Sequence, residues 1–148
     1  MSDQPPAPVL NQLNLVVKDV ATTLQFYRLL GIETAPSPPE WAAHHVAARL
    51  PNGVNLEFDS TRFASQWNPG WSRGGGGGVM FFRVPARDDV DAIYSRMVGA
   101  GHRSQQPPVD AFWGARYAIV EDPDGNSVGI MSPSDPARRR PPPSPPTP

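Results

Sequence analysis

The sequence predicts an α+β domain built from two tandem βαβββ modules, and two observations lead to this fold class. First, Trp41 recurs 72 residues later as Trp113, and each tryptophan is followed, after nine intervening residues, by a Pro-Asn/Asp-Gly turn and a short apolar run. Second, each half opens with an apolar strand, a short turn, a helical pattern and a terminal glycine, at 14–31 and 80–101. A tryptophan and a turn that share one spacing twice indicate an internal repeat.

The elements of the first module follow from local signals. Residues 10–18 read as a strand, and Asp19 can cap the helix that we expect at about 20–30. The apolar stripe of that helix comprises Val20, Leu24, Tyr27 and Leu30. Gly31 supplies its left-handed end. A hairpin then joins WAAHHVAARL to VNLEFD, because Gly53 permits the positive φ of a tight turn.

The second module repeats this scheme after a glycine-rich linker at 61–77. A strand at about 79–84 precedes a helix at about 87–98, and the last hairpin turns at EDPDGN. The inward side of this second helix comprises Val90, Ile93 and Met97. The run of five glycines follows no strand and opens no helix, which excludes a phosphate-binding loop.

Composition excludes several classes of function. The 148 residues carry a net charge of −1, so there is no reason to expect a nucleic-acid partner. The chain has no cysteine, which excludes disulfides, thiolate catalysis and thiolate metal sites. It has no apolar run long enough to span a membrane and no secretory leader. We therefore expect a cytoplasmic protein.

Both ends of the chain are rich in proline and polar residues, and we expect them to be disordered. The Arg138–Arg140 triplet is accordingly interpreted as part of a solvated tail. The predicted organisation is an N-terminal tail at 1–8, a domain at 9–132 with modules at about 9–60 and 78–132, and a proline-rich tail at 133–148.

Two runs of sequence resemble a known superfamily. VVKDVATTLQFYRLLGIE (16–33) and WGARYAIVEDPDGNSVGI (113–130) look like the vicinal oxygen chelate superfamily, which includes glyoxalase I, extradiol dioxygenases and bleomycin-resistance proteins. The resemblance covers about 9–132. It implies that the two modules form a curved mixed sheet around a ligand cup, and that the protein is a homodimer.

The resemblance also implies where a metal would bind. Metal-dependent members take one ligand from the first strand and one from the last strand of each module, which here are Gln12, Glu57, Val79 and Gly129. Val79 and Gly129 have no donor side chain, and two protein ligands are too few for a divalent ion. We therefore expect a small-molecule binding protein without metal or other cofactor, in which the four positions are vestigial. The alternative is a metal-dependent lyase, isomerase or dioxygenase that adds a recruited histidine to Gln12 and Glu57.

The length of the first hairpin turn decides which histidine faces the cup, because successive strand residues point to opposite faces. A three-residue turn at 51–53 places His45 inward, and a two-residue turn places His44 inward. With three residues, the cup face of the first module comprises Trp41, His45, Arg49, Asn55 and Glu57. The equivalent face of the second module comprises Trp113, Tyr117, Ile119 and Met131.

Glu57 is the one candidate catalytic residue. A carboxylate in an apolar cup must be paired, and Arg49, Arg83 and His45 are the available partners. Glu57 could accept hydrogen bonds from a ligand or act as a base. It could equally be a former metal ligand that now serves only the structure.

Aromatic residues indicate the class of ligand, because aromatic walls hold flat or apolar compounds by stacking and burial. Trp67 and Trp71 could fold over the cup. The predicted ligand-binding set is Trp41, His45, Arg49, Glu57, Phe81, Phe112, Trp113, Tyr117 and Met131. We expect an aromatic or apolar compound to be sequestered there, as in the drug-binding branch of the superfamily. A third interpretation is an interaction module whose proline-rich tail binds partners as an extended helix.

Overall fold

The computed structural model describes residues 12–67 and 79–141. The chain forms two compact units. The first comprises Met1–Leu24 and Gly31–Ser72, and the second comprises Gln25–Leu30 and Arg73–Pro148. Each unit contains one open sheet.

The first unit contains a three-stranded mixed sheet. Its elements, in chain order, are β1 (Gln12–Val17), the start of α1 (Val20–Leu30), β2 (His45–Arg49), β3 (Asn55–Ser60) and α2 (Thr61–Trp67). The strand order is β1-β3-β2, in which β1 runs parallel and β2 antiparallel to β3. One face of this sheet is apolar and buried, with Val17, Val46, Leu56 and Phe58 all at most 4 % exposed.

The second unit contains a four-stranded mixed sheet. Its elements are the end of α1, then β4 (Val79–Arg83), α3 (Arg87–Gly99), β5 (Ser104–Asp110), β6 (Arg116–Glu121) and β7 (Ser127–Met131). The strand order is β4-β7-β6-β5, with β4 parallel to β7 and the other pairs antiparallel. Val90 and Met97 of α3 are fully buried, as the helical stripe predicts.

The helix α1 begins and ends where its capping signals predict. The Asp19 side chain accepts a hydrogen bond from the Thr22 N–H at 3.0 Å, which satisfies a free donor of the first turn. Gly31, with φ of 109°, ends the helix. Near its C-terminal end, the buried Tyr27 hydroxyl donates to Asp122 at 2.8 Å. Asp122 also accepts hydrogen bonds from the backbone of the last hairpin, so this contact joins α1 to that turn within the second unit.

The strand registers confirm the internal repeat. In the first sheet Asn14 pairs with Glu57, which pairs with Ala47 on its other side. In the second sheet Phe81 pairs with Gly129, which pairs with Ile119. The strands β1, β3 and β2 of the first sheet therefore correspond to β4, β7 and β6 of the second. The fold class predicted from the sequence, α+β with paired modules and mixed sheets, is confirmed.

Two parts of the chain differ from the predicted element order. The first unit has no strand equivalent to β5: residues 32–40 form one strand-like bond, from the Ala35 N–H to the Ala47 carbonyl. Three prolines in this stretch lack the N–H that a ladder needs. Conversely, α2 lies inside the predicted linker, and the Ser60 hydroxyl caps it by accepting the Phe63 N–H at 3.1 Å. The glycine run and Trp71 lie outside the described residues.

The expected disordered tail is partly described. Residues 133–141 contain a short 3-10 helix at Pro136–Arg138 and bind the loop between β5 and β6. The Asp135 N–H donates to the Gly114 carbonyl at 3.1 Å, and the Arg140 N–H donates to the Phe112 carbonyl at 2.8 Å. Gly114 has a φ of 95°, and a Cβ there would collide with the Asp135 carbonyl, so the close approach requires glycine. Residues 1–8 lie outside the described part of the chain.

The helices of the described residues are too short and too polar to cross a membrane.

Candidate functional site

One face of the first sheet carries a connected group of polar side chains, which we call the polar face. Because paired residues on neighbouring strands point the same way, the register brings these side chains together. The polar face comprises Gln12, Asn14, His45, Glu57 and Asp59. Its counterpart on the back of the sheet is the buried apolar core.

Asp59 lies opposite His45 at one end of the polar face and is fully buried. Its carboxylate accepts a hydrogen bond from the Asn14 amide at 2.8 Å and lies 2.6 Å from Nδ1 of His45. Glu57 is only half-buried and accepts from the amides of Asn14 at 3.1 Å and Gln12 at 3.3 Å. Amides, rather than the expected Arg49 or His45, are therefore the hydrogen-bond partners of Glu57 among the described residues. A carboxylate so bonded is held in place without a cation.

The first hairpin turn has three residues, and this places His45 on the polar face. Leu50 and Val54 close the turn with a 2.9 Å hydrogen bond, and Gly53 has the expected positive φ of 85°. His45 is consequently opposite Asp59. His44 points to the other face, where its Nδ1 lies 2.9 Å from the Ser60 hydroxyl.

Aromatic rings border one end of the polar face. Phe63 of α2 packs edge-on against His45 at 5.5 Å and against Trp41 at 5.1 Å between ring centroids. Trp41 and Phe63 also line a cavity of about 380 Å³ together with Glu40, His44, Arg62 and Gln66. Arg49 lies at the exposed end of β2.

On the equivalent face of the second sheet five positions are apolar, and we call this apolar group the aromatic face, as distinct from Arg83, Glu121 and Ser127 at the ends of the same register. Its members are Val79, Phe81, Tyr117, Ile119 and Met131. In the repeat, Phe81 takes the place of Asn14, Tyr117 that of His45, and Met131 that of Asp59. At these three pairs of equivalent positions, polar side chains of the first sheet are therefore replaced by apolar or aromatic side chains in the second.

Phe81 covers Gly129 on the aromatic face. A Cβ built on Gly129 would overlap the Phe81 ring, with Cγ of that ring 2.8 Å away. The position equivalent to Glu57 therefore has no side chain and no room for one in this arrangement. Phe81 in turn contacts Tyr117 edge-on, with ring centroids 6.2 Å apart.

Trp113 extends the aromatic face beyond the strands. Its indole stacks on Tyr117 at 5.6 Å with the planes 16° apart, and Phe112 packs edge-on against it at 5.0 Å. These three rings line a cavity of about 470 Å³, whose remaining walls are Val109, Asp110, Ala111, Arg140 and Pro141. This volume is within the range of small-molecule sites.

A group of charges adjoins this cavity. Arg116 binds Asp91 with two nitrogens, at 2.6 and 2.8 Å, and Asp110 with a third, at 3.0 Å. Arg87 also pairs with Asp110. Hydrogen bonding to Arg116 holds the pKa of Asp91 and the pKa of Asp110 below their usual values. Both carboxylates are therefore charged and paired at neutral pH.

The predicted site residues thus fall into two groups. His45 and Glu57 share the polar face, with Trp41 at its border. Phe81, Tyr117 and Met131 share the aromatic face, with Phe112 and Trp113 continuing it. The side chain of Trp67 is not among those described.

Sequence reasoning missed Asn14, Asp59 and Arg140. Strand alternation could have identified two of these residues, because Asp59 lies two residues from Glu57 and Asn14 lies two residues from Gln12. Arg140 had no such signal, because its placement depends on the packing of the segment that precedes it.

Comparison with known proteins decides the family. The family model for the Glyoxalase/Bleomycin resistance protein/Dioxygenase superfamily matches residues 9–130. The chain belongs to this superfamily.

Solved structures of the superfamily share its fold. A glyoxalase-related enzyme from Fulvimarina pelagi is 19 % identical, with a TM-score of 0.74 over 86 % of this chain and 89 % of that one. A glyoxalase/bleomycin resistance protein/dioxygenase from Nocardioides is 21 % identical, with a TM-score of 0.68 over 90 % and 88 %. A lactoylglutathione lyase from Agrobacterium tumefaciens is 22 % identical, with a TM-score of 0.63 over 87 % and 96 %. Identities this low support the shared fold and no specific activity. No curated protein matched the chain.

Within the glyoxalase/bleomycin resistance protein/dioxygenase superfamily, a metal held by both modules does not fit this chain. Of the four positions that the sequence resemblance implies, Val79 and Gly129 offer no donor atom, and Phe81 covers the second of them. A smaller donor set exists in the first unit alone. One ligand atom each from His45, Glu57 and Asp59 lie within 4.8 Å of one another. Nitrogen and carboxylate donors of this kind suit zinc and similar divalent ions.

Proposed function

We propose that this superfamily member is a metal-free binding protein that sequesters a flat aromatic or apolar small molecule in the cavity beside the aromatic face. The observation that carries the proposal is the stack of Trp113 on Tyr117 along the wall of the 470 Å³ cavity. A third ring, Phe112, adjoins the stack. Binding there needs no catalytic group.

The energetics of such a wall favour a planar ligand. Trp113 is 37 % exposed and Phe112 is equally exposed, so both rings keep apolar surface that a ligand can remove from water. Each well-placed aromatic pair adds about 0.5–1.5 kcal/mol beyond the burial of area. Leaving these rings in water has no structural benefit, which supports a binding role.

The Phe81–Gly129 contact supports binding without metal. It converts the position of a former ligand into continuous apolar surface that joins Tyr117. Restoring a ligand there would require Phe81 to move.

Titration calorimetry with 1-naphthol tests this function, using Trp113→Leu and the matched control Trp41→Leu. The two tryptophans occupy equivalent positions of the repeat and are similarly exposed, at 37 % and 43 %. We expect Trp113→Leu to weaken binding about tenfold, which corresponds to about 1.4 kcal/mol. Trp41→Leu should leave the affinity unchanged. Equal effects of both variants, or no binding by the wild type across a panel of bicyclic aromatics, would contradict the proposal.

A second candidate function is metal-dependent lyase, isomerase or dioxygenase chemistry at the polar face. The observation that favours it is the proximity of His45, Glu57 and Asp59. Against it, the Asn14 amide donates to both carboxylates and Asp59 is bound to His45, so a cation would have to displace these bonds.

Elemental analysis separates the two candidates. The protein is incubated with Zn²⁺, Ni²⁺, Mn²⁺ or Fe²⁺ and desalted, alongside Glu57→Ala and the control Glu40→Ala, which removes an exposed carboxylate. The leading proposal predicts no stoichiometric metal in any of the three proteins. One equivalent of metal that only Glu57→Ala loses would contradict the metal-free proposal and support the metal site that the second candidate requires.

A further inference from the structure

The C-terminal segment 133–141 forms a strap over the loop between β5 and β6. The Ser134 hydroxyl donates to the Trp113 carbonyl, and the Asp135 N–H donates to the Gly114 carbonyl. The Asp135 side chain then accepts the Ala137 N–H at 2.9 Å, which starts the short 3-10 helix. The strap therefore has a defined course up to Arg140.

This course places Arg140 on the wall of the aromatic cavity. Its N–H donates to the Phe112 carbonyl at 2.8 Å, and one guanidinium nitrogen donates to the Asp110 carbonyl at 2.8 Å. Arg140 consequently lines the same cavity as Phe112, Trp113 and Tyr117. The backbone bond fixes the residue and one side-chain bond directs the guanidinium, while its other N–H groups remain for a ligand.

The charge on Arg140 is not matched by a carboxylate among the described residues. The only acidic residue of the cavity wall, Asp110, pairs with Arg87 and Arg116 instead. Arg140 itself contacts a neutral carbonyl. The cavity thus combines an aromatic wall with one cationic group that the described structure leaves uncompensated.

We propose that the ligand of this cavity is an aromatic anion, with its ring against Trp113 and Tyr117 and its carboxylate or phosphate on Arg140. This inference rests on the proposed binding function and specifies its ligand class. A planar guanidinium fork matches a carboxylate or phosphate with two parallel hydrogen bonds. The strap holds the Arg140 guanidinium in position before a ligand binds, which reduces the conformational entropy lost on binding.

The test compares matched probes that share one ring system: 1-naphthoate, neutral 1-naphthamide and the cationic 1-naphthylmethylammonium. Affinities are measured by titration calorimetry for the full-length wild type, Arg140→Gln and Arg139→Gln. Arg139→Gln removes the same charge from the neighbouring residue, which does not line the aromatic cavity. Arg140→Lys is a fourth variant that keeps the charge and removes the fork.

We expect the wild type to bind 1-naphthoate about tenfold more tightly than 1-naphthamide, as a charged hydrogen bond near the surface allows. The cationic probe should bind most weakly. Arg140→Gln should abolish the preference for the anion while keeping the affinity for 1-naphthamide. Arg139→Gln should retain the preference, and Arg140→Lys should retain part of it. The preference should also fall as salt increases, because the site is open to solvent.

Other outcomes identify which proposal fails. Equal affinity of the wild type for all three probes would overturn the anion inference and leave the binding function standing. An anion preference that Arg140→Gln keeps would overturn the role of Arg140. Failure of the wild type to bind any probe would overturn the binding function and the inference with it.

Discussion

The ring of Phe81 lies over the α-carbon of Gly129, in the space that a side chain at residue 129 would occupy. The two residues are paired across parallel strands, and the equivalent pair in the first sheet is Asn14 and Glu57. At these equivalent positions the first sheet has a carboxylate bonded to an amide, and the second sheet has a glycine covered by an aromatic ring. This difference separates the aromatic face from the polar face.

Gly129→Ala should lower the free energy of unfolding by about 1–2 kcal/mol. Gly129 has no positive φ, so alanine suits its backbone, and the cost comes from moving Phe81. Phe81 is 45 % exposed and can swing outward, which limits the cost. Urea denaturation of Gly129→Ala, Phe81→Ala and the double variant checks this, since removing the ring should cancel the effect of the alanine. An equal loss with and without Phe81 would contradict the explanation.

Asp59→Ala should destabilise the protein by about 1–3 kcal/mol, and Glu57→Ala should cost less than about 1 kcal/mol. Both carboxylates lie on β3 and accept an Asn14 hydrogen bond, but only Asp59 is fully buried. Its loss leaves the Asn14 amide with Glu57 as its remaining acceptor and removes the partner of His45 Nδ1. Denaturant midpoints of the two variants provide the measurement. A larger loss for Glu57→Ala would show that Glu57 has the structural role.

Tyr27→Phe should lower the free energy of unfolding by about 1–2 kcal/mol, because it removes a hydroxyl donor from the buried carboxylate of Asp122. Burial, together with this carboxylate, raises the pKa of the Tyr27 hydroxyl and keeps it protonated as a donor. Tyr94→Phe is the control, since the Tyr94 hydroxyl bonds Ser104 in a more exposed place. Thermal melts that shift equally for both would refute the importance of the Tyr27 contact.

The Asp91–Arg116 pair should make stability depend on pH in the acid range. Hydrogen bonding to Arg116 lowers the pKa of Asp91 in the folded protein below its ordinary value of 3.8. The unfolded chain therefore takes up a proton first as pH falls, and the contribution of the pair is complete above about pH 5 and lost progressively below that. Denaturation of wild type and Asp91→Asn at pH 7, 5 and 3 measures this. The difference between them should shrink towards pH 3, and a constant difference would contradict the assignment.

Much of the fold could be predicted because its signals are local. The helix α1 was predicted at 20–30 and is found at Val20–Leu30, since Asp19 and Gly31 mark its ends within the sequence itself. The βαβββ scheme also predicted a strand between α1 and β2, and the described residues there form none. The prolines at 36, 38 and 39 remove N–H donors there, but they do not decide the matter alone, because β5 contains Pro107 and Pro108 and still pairs with β6.

The candidate site was predicted in part, for the same reason. Strand alternation predicted that either His44 or His45 would share a face with Glu57, and the three-residue turn of the structure selects His45. Strand alternation could not show that the Asn14 amide holds both carboxylates, because hydrogen bonds across strands depend on side-chain conformation as well as register.

The sequence by itself determined the superfamily, the repeated module and the absence of donor side chains at Val79 and Gly129, because turn residues, strand alternation and side-chain chemistry can be read along the chain. Only the tertiary structure decided that Phe81 covers Gly129 and that Arg140 reaches the aromatic cavity. Both depend on contacts between residues far apart in sequence. The proline-rich composition of residues 133–141 does not reveal that carbonyl groups of the loop between β5 and β6 will bind this segment.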